Sequence, residues 1–150
     1  MSEAAQLEKR FIVVGVDGSE SSLDALRWAA RQASLTGASL RVITTWEISS
    51  ATGWAPSFPP DYDPEQVSQQ MLDEAVSGTL GAELKIPVER IVKEGHPAPV
   101  LIEAAAGADL LVVGCRGHGA FTGMLIGSVS EHLVAHAPCP VVVVRHPKPA

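Results

Sequence analysis

Five glycines, at positions 114, 117, 119, 123 and 127, fall between an apolar run and a helical segment in the last third of the chain. The run at 110–113 is typical of a buried strand, and the pattern from Ser128 onward predicts a helix. Because glycine at this density destabilises helices and strands, the segment should be a sharply bent loop. Amide groups and the positive end of the helix dipole meet at a helix N-terminus, so such a loop is suited to binding an anion. The alternative is a surface connection that binds nothing.

The whole chain alternates between apolar runs and segments whose apolar residues recur at helical spacing. Strands are predicted at 11–16, 40–46, 88–93, 109–114 and 141–145, and helices at 23–33, 67–80, 97–106 and 128–137. This alternation predicts an α/β fold, a single doubly wound domain with a parallel sheet over residues 1–150. Outside these elements are a tail at 1–9, a long loop at 47–64 with four prolines, and a tail at 146–150. The loop is expected to fold over a ligand, to contact a second copy or to be disordered.

Gly114, Gly117, Gly127 and Ser128 fit the spacing G-x2-G-x9-G-[ST]. This is the pattern of the nucleotide-binding branch of the universal stress protein family, which the chain resembles over nearly its whole length outside 48–64. The resemblance implies a Rossmann-like, five-stranded sheet in the order 3-2-1-4-5, a homodimer, and ATP with or without Mg²⁺ or Mn²⁺. That order puts the carboxyl ends of the first and fourth strands at the topological switch, where such sheets bind ligands.

The nucleoside half of the candidate site lies at the ends of the first two strands. Asp17 follows the first strand, where a carboxylate can accept hydrogen bonds from the vicinal hydroxyls of a ribose. An Asx turn or a helix cap explains Asp17-Gly18-Ser19 equally well. The resemblance implies that Asp17 contacts the nucleoside, that the main chain of Gly15 and Val16 lies near it, and that the backbone of Thr45 recognises adenine.

The phosphate half of the site is the glycine-rich loop and the start of the helix after it. Main-chain amides at Gly117 and around Gly127 are expected to point at phosphate oxygens. Arg116 either pairs with a phosphate or faces solvent, and His118 is placed to donate a hydrogen bond. Ser128 is predicted to be an N-cap in a capping box with Glu131, which leaves other amides available. The candidate nucleotide-binding residues are Gly15, Val16, Asp17, Thr45, Val113, Gly114, Arg116, Gly117, His118, Gly119, Gly127, Ser128, Val129 and Ser130.

Other motifs argue against strong catalysis. The chain lacks G-x4-G-K-[ST], and no Ser, Cys or Lys has an obvious partner base. His132 and His136 are four residues apart, but the order is Glu-His-x3-His, without a third ligand at a recognisable spacing, so a solvated helix face is favoured. With these motifs absent, the resemblance implies a nucleotide-dependent stress-response or signalling protein that binds ATP. The alternatives are a slow ATPase and a sensor of cAMP or AMP in the same cleft.

Charge and composition restrict the partners further. The net charge is −6 and there is no basic run, so binding to nucleic acid or to an anionic membrane surface is not expected. The first ten residues lack the apolar core of a signal peptide, which favours a cytoplasmic location. Cys115 and Cys139 should lie at opposite ends of neighbouring parallel strands, about 20 Å apart, and should therefore remain reduced.

The last strand poses a problem of its own. Its valines would expose apolar surface and unpaired backbone groups at a sheet edge. Pairing with the same strand of a second copy about a two-fold axis would cover them, and the resemblance implies such a homodimer. The alternative is that the C-terminal tail at 146–150 shields the edge.

Overall fold

The computed structural model describes residues 10–48, 60–116 and 126–146. In this part of the chain, five strands and four helices alternate as the sequence predicts. They are β1 (Phe11–Gly15), α1 (Glu20–Thr36), β2 (Ser39–Trp46), α2 (Pro64–Leu80), β3 (Val88–Glu94), α3 (Pro97–Ala104), β4 (Leu110–Gly114), α4 (Ser128–His136) and β5 (Val141–Val144). The tails at 1–9 and 147–150, and residues 49–59 of the long loop, lie outside the described residues.

The five strands form one parallel sheet in the order β3-β2-β1-β4-β5. This confirms both the α/β class and the strand order 3-2-1-4-5. The continuous apolar runs are explained by burial on both faces: Val13 and Val14 point to opposite faces, and each is 0% exposed. Full burial of one such side chain contributes about 1.5–3 kcal/mol, so these runs stabilise the centre of the sheet.

Helices cover the sheet on both sides. Ala25, Leu26 and Ala29 of α1 and Leu72 and Val76 of α2 pack together on one face. Leu101 of α3 and Leu133 of α4 belong to the core on the other face. The sheet is therefore doubly wound, and β1 and β4 lie at its centre.

Local signals set several of the helix ends. Gly37 ends α1 with φ of 75°, the left-handed conformation that glycine adopts at low cost, and its amide bonds the carbonyl of Ala33. Asp63 caps α2, and Pro64 is its first residue.

No helix in the described ranges has the length and apolar character needed to cross a membrane. Cys115 and Cys139 are both free thiols, as predicted.

Candidate functional site

The carboxyl ends of the parallel strands form one edge of the sheet, and the topological switch lies there. β1 pairs with β2 on one side and with β4 on the other. The chain leaves β1 toward α1 and leaves β4 toward α4. The N-termini of both helices therefore lie at the same edge, which is where open α/β sheets bind ligands.

Three successive carbonyls at the start of the glycine-rich segment are each hydrogen-bonded. They belong to Gly114, Cys115 and Arg116, and they accept bonds at 2.6, 2.5 and 2.5 Å. The respective donors are the Ser130 hydroxyl, the Gly127 amide and the Ser21 hydroxyl. These bonds tie the start of the segment to its end and to the N-termini of α1 and α4. The backbone that frames residues 117–125 is thus fixed from both sides.

Gly114 allows α1 to approach the end of β4. A Cβ atom at this position would lie 2.5 Å from Ser21 Oγ, 2.7 Å from Ser21 C and 2.8 Å from Ser22 N. Two of these atoms belong to the backbone and cannot move aside cheaply. The first glycine of the motif is therefore required by helix packing, whatever the segment binds.

The start of α4 differs from the prediction in its capping. Gly127, not Ser128, is the N-cap, and no side chain caps the helix. The predicted capping box is wrong because Gly127 adopts the extended cap conformation and its amide is bonded to Cys115. That amide is therefore not directed at a ligand, contrary to expectation. Ser128 is instead the exposed first residue of the helix.

Val129 and Ser130 complete the first turn of α4. Val129 is half-buried, and Ser130 is buried with its hydroxyl bonded to the Gly114 carbonyl. The Ser130 side chain thus supports the fold of the segment. Helix geometry provides no acceptor for the first amides of a helix, which include those of Ser128 and Val129. These two amides remain suited to an anion.

Asp17 forms an Asx turn, which was one of the two interpretations that its sequence context allowed. Its Oδ1 accepts bonds from the Ser19 amide at 2.9 Å and from the Ser19 hydroxyl at 2.5 Å. Ser19 in turn caps α1, where its hydroxyl accepts a bond from the Ser22 amide. Asp17 itself is exposed at the edge of the sheet. The carboxylate therefore organises the turn at a position that a ligand can also reach.

Gly15, Val16 and Val113 lie beneath the switch point. Val16 and Val113 are 3% and 5% exposed, and their side chains belong to the two cores. A Cβ on Gly15 would meet Leu101 Cδ1 at 2.9 Å and Val113 Cγ1 at 3.5 Å. Only the main chain of these residues is therefore suited to contact a ligand.

Thr45 lies in the part of β2 that continues beyond the end of β1. The pairing of β1 with β2 ends where Gly15 faces Ile43. The Ile43 carbonyl accepts a bond from the Val16 amide, so the main-chain groups of Ile43 point to the β1 side. Because successive strand residues alternate in direction, those of Thr45 point to the same side, beyond Gly15. A backbone donor and acceptor thus project over the turn at Asp17.

The remaining predicted residues follow Gly114. Arg116 is exposed, and its guanidinium forms no ion pair with the described residues. Gly117, His118 and Gly119 lie outside the described residues. Ser21 is the site residue that the sequence did not reveal. A serine in the first turn of a helix is unremarkable locally, and only the fold brings it to Arg116.

Known proteins resemble this chain in sequence and in architecture. A profile of the universal stress protein family matches residues 9–145. A universal stress protein of Mycobacterium tuberculosis is 35% identical over 139 residues, which is 89% of this chain and 47% of that protein. The chain thus spans about half the length of the curated relatives that it matches.

Solved structures agree with these sequence matches. A universal stress protein crystallised in complex with cAMP has a TM-score of 0.65 and 31% identity, covering 91% of this chain and 96% of that one. A universal stress protein from Archaeoglobus fulgidus in complex with dAMP has the same fold, with a TM-score of 0.65, 24% identity and coverage of 89% and 95%. With the profile match over residues 9–145, these findings assign the chain to the universal stress protein family.

Proposed function

We propose that this chain binds an adenine nucleotide at the carboxyl edge of its sheet, and that ATP is its principal ligand. The observation that carries the proposal is the bonding of the three carbonyls at 114–116, which frames the glycine-rich segment between the N-termini of α1 and α4. These bonds hold the two ends of the segment close to both helix N-termini. The complex of a 31% identical relative with cAMP supports an adenine nucleotide as the ligand class.

The phosphates would lie against the start of α4 and the segment before it. The first amides of this nine-residue helix and the positive end of its dipole favour an anion. Arg116 supplies an exposed cation at the start of the segment. Gly117, His118 and Gly119 are proposed to complete the phosphate contacts.

The nucleoside would lie over the ends of β1 and β2. The main-chain groups of Thr45 project beyond β1 and are suited to an adenine edge. Asp17 is exposed at the turn below, at a place where a carboxylate can accept bonds from ribose hydroxyls. The main chain of Gly15, Val16 and Val113 would line the floor between base and phosphates.

A divalent cation, if it accompanies the nucleotide, would be held mainly by phosphate oxygens. Among the described residues, no group of three or more His, Cys, Asp or Glu side chains converges to bind a metal ion. Mg²⁺ that accompanies a nucleotide is usually held by phosphate oxygens and waters with one or two carboxylates, so such an ion does not require a larger group of protein ligands.

We further propose a signalling homodimer in the cytoplasm, with little catalysis. A second candidate function is a sensor of cAMP or AMP, favoured by the cAMP complex of the relative.

The proposed dimer is supported by the edge position of β5, whose four valines are only half-buried in the single chain. His146, the last described residue, lies against α1, with its ring nitrogens 2.5 Å from Asp24 and 2.9 Å from Glu20.

Calorimetric titration of the full chain with ATP, AMP, cAMP and adenosine tests the proposal. ATP should bind most tightly, and Arg116→Ala should weaken ATP about fivefold while leaving adenosine unchanged, since only the phosphates meet this partly solvated cation. Lys85→Ala, which removes another exposed cation, is the matched control. Preference for cAMP or AMP would favour the second function. If none of the four ligands binds below about 1 mM, the nucleotide site is absent.

A further inference from the structure

Two imidazole rings lie side by side on the outer face of α4. His132 and His136 occupy successive turns, and both are exposed. Their ring centroids are 4.5 Å apart and their planes are inclined by 45°. Leu133 and Ser130 of the same helix are buried, so the histidine pair points away from the core.

The separation of the rings matches that of two imidazoles on one metal ion. A metal–nitrogen distance of about 2.0–2.1 Å puts each ring centroid about 3.2 Å from the ion. Two such rings at a right angle have centroids about 4.5 Å apart, and a tetrahedral angle separates them by about 5.2 Å. The observed 4.5 Å therefore places both imidazoles within reach of a single ion.

We propose that His132 and His136 chelate a divalent transition metal ion. Imidazole is a suitable ligand for Ni²⁺, Cu²⁺ and Zn²⁺ alike. No third protein ligand converges here among the described residues. Water fills the other coordination positions, so the bound ion remains exchangeable and accessible from solvent.

The other described histidines differ from this pair. His96 lies 3.2 Å from a carboxylate oxygen of Glu47, and His146 faces Asp24 and Glu20. His132 and His136 have no hydrogen-bond or ion-pair partner in the described part of the chain. Their ring nitrogens are therefore not occupied by an internal acceptor, and a helix fixes their spacing before the ion arrives.

Calorimetric titration of the metal-free full chain with NiCl₂ tests this site, because Ni²⁺ does not oxidise the thiols. One ion should bind per chain, and His132→Ala and His136→Ala should each weaken it about a hundredfold, since either change abolishes chelation. His96→Ala is the matched control and should bind as the wild type does. Circular dichroism checks that each variant keeps its helices.

The outcomes are separable. Loss in both single variants, with retention in His96→Ala, supports the pair. Equal binding by the wild type and the double variant His132→Ala/His136→Ala would overturn the proposal, as would loss in His96→Ala alone. Failure of nucleotide binding leaves the proposal unaffected, because the ion site lies on side chains that the nucleotide site does not use.

Discussion

The hydroxyl of Ser21 donates a hydrogen bond of 2.5 Å to the main-chain carbonyl of Arg116, 95 positions later in the chain. Ser21 belongs to the first turn of α1, and Arg116 is the last described residue before the segment at 117–125. The bond is possible because Gly114 has no side chain to keep α1 away from β4. The first crossover helix therefore helps to position the loop that follows the fourth strand.

Ser21→Ala should weaken nucleotide binding as well as the fold. Loss of one hydrogen bond costs about 1 kcal/mol of stability, and a comparable cost to the arrangement of the loop would lower ATP affinity about fivefold. Calorimetry with ATP and urea unfolding measure the two effects separately. Ser39→Ala is the matched control, because it also removes a hydroxyl-to-carbonyl bond, of 3.3 Å to Arg10, but at the opposite edge of the sheet. Equal ATP affinity in both variants would contradict the positioning role.

Three glycine-to-alanine variants should differ in stability according to the space around each glycine. Gly114→Ala should destabilise by about 1–3 kcal/mol or more, because its Cβ would meet the backbone of α1. Gly15→Ala should cost less, since the Leu101 side chain that it meets at 2.9 Å can rotate. Gly78→Ala, in α2 with nothing within 4 Å, should stabilise by about 0.5–1 kcal/mol. Thermal unfolding gives this ranking, and a Gly114→Ala protein as stable as the wild type would refute the packing argument.

The ion pair between α2 and β3 should make stability depend on acidity. The hydrogen bond from the Arg90 guanidinium, followed by that from the Gln69 amide, holds the pKa of Asp73 below its ordinary value. The folded state therefore binds this proton less readily than the unfolded chain, whose carboxyl pKa is about 3.9. The resulting stabilisation is complete above that value and is lost as the pH falls through the lowered folded pKa.

Asp73→Asn should accordingly destabilise the protein at neutral pH and have little effect in acid. Urea unfolding of both proteins at about pH 7 and about pH 2 measures the difference, which should be small because the pair is exposed. Glu74→Gln alters a neighbouring exposed carboxylate, which accepts a bond from the Gln70 amide and has no ion pair with the described residues, and it should show no such change. A gap between wild type and Asp73→Asn that stays constant with pH would count against the role of this proton.

The elements could be predicted because their signals are local. The helix stop at Gly37 depends on the left-handed conformation of one residue, and the strand at Val13 and Val14 depends on burial of both faces. The strand order followed from the resemblance to a family, since periodicity contains no information on which strands are neighbours. For Asp17, the pattern allowed both a turn and a ligand contact, and the structure establishes the turn.

The contacts that frame the site could not be predicted in the same way. Ser128 matches a capping box, but the cap moves to Gly127 because the Gly127 amide bonds to Cys115, twelve positions earlier. The bond from Ser21 to Arg116 likewise depends on the packing of α1 against β4. Both are tertiary interactions, and neither leaves a signal in neighbouring residues.

The direction of the main-chain groups along β5 allows a sharp test of the proposed dimer. The carbonyls of Pro140 and Val144 accept bonds from the amides of Leu111 in β4 and Cys115 just after it, so residues at even positions point inward to the sheet. By the alternation of a strand, the amide of Val143 points outward to the unpaired edge. A second copy paired along this edge would need that amide, whereas the pairing with β4 does not.

Val143→Pro should therefore dissociate the dimer and keep the domain folded. Proline removes the outward donor, and it is tolerated at sheet edges where the N–H does not serve the ladder. Val143→Ala is the matched control: it also loses a half-buried side chain but keeps the amide, and it should remain dimeric. Sedimentation at concentrations well above the dissociation constant of the wild type, together with circular dichroism, distinguishes dissociation from unfolding. A folded Val143→Pro protein that sediments as the wild type would show that β5 is not the dimer edge, while a monomeric wild type would exclude the dimer altogether.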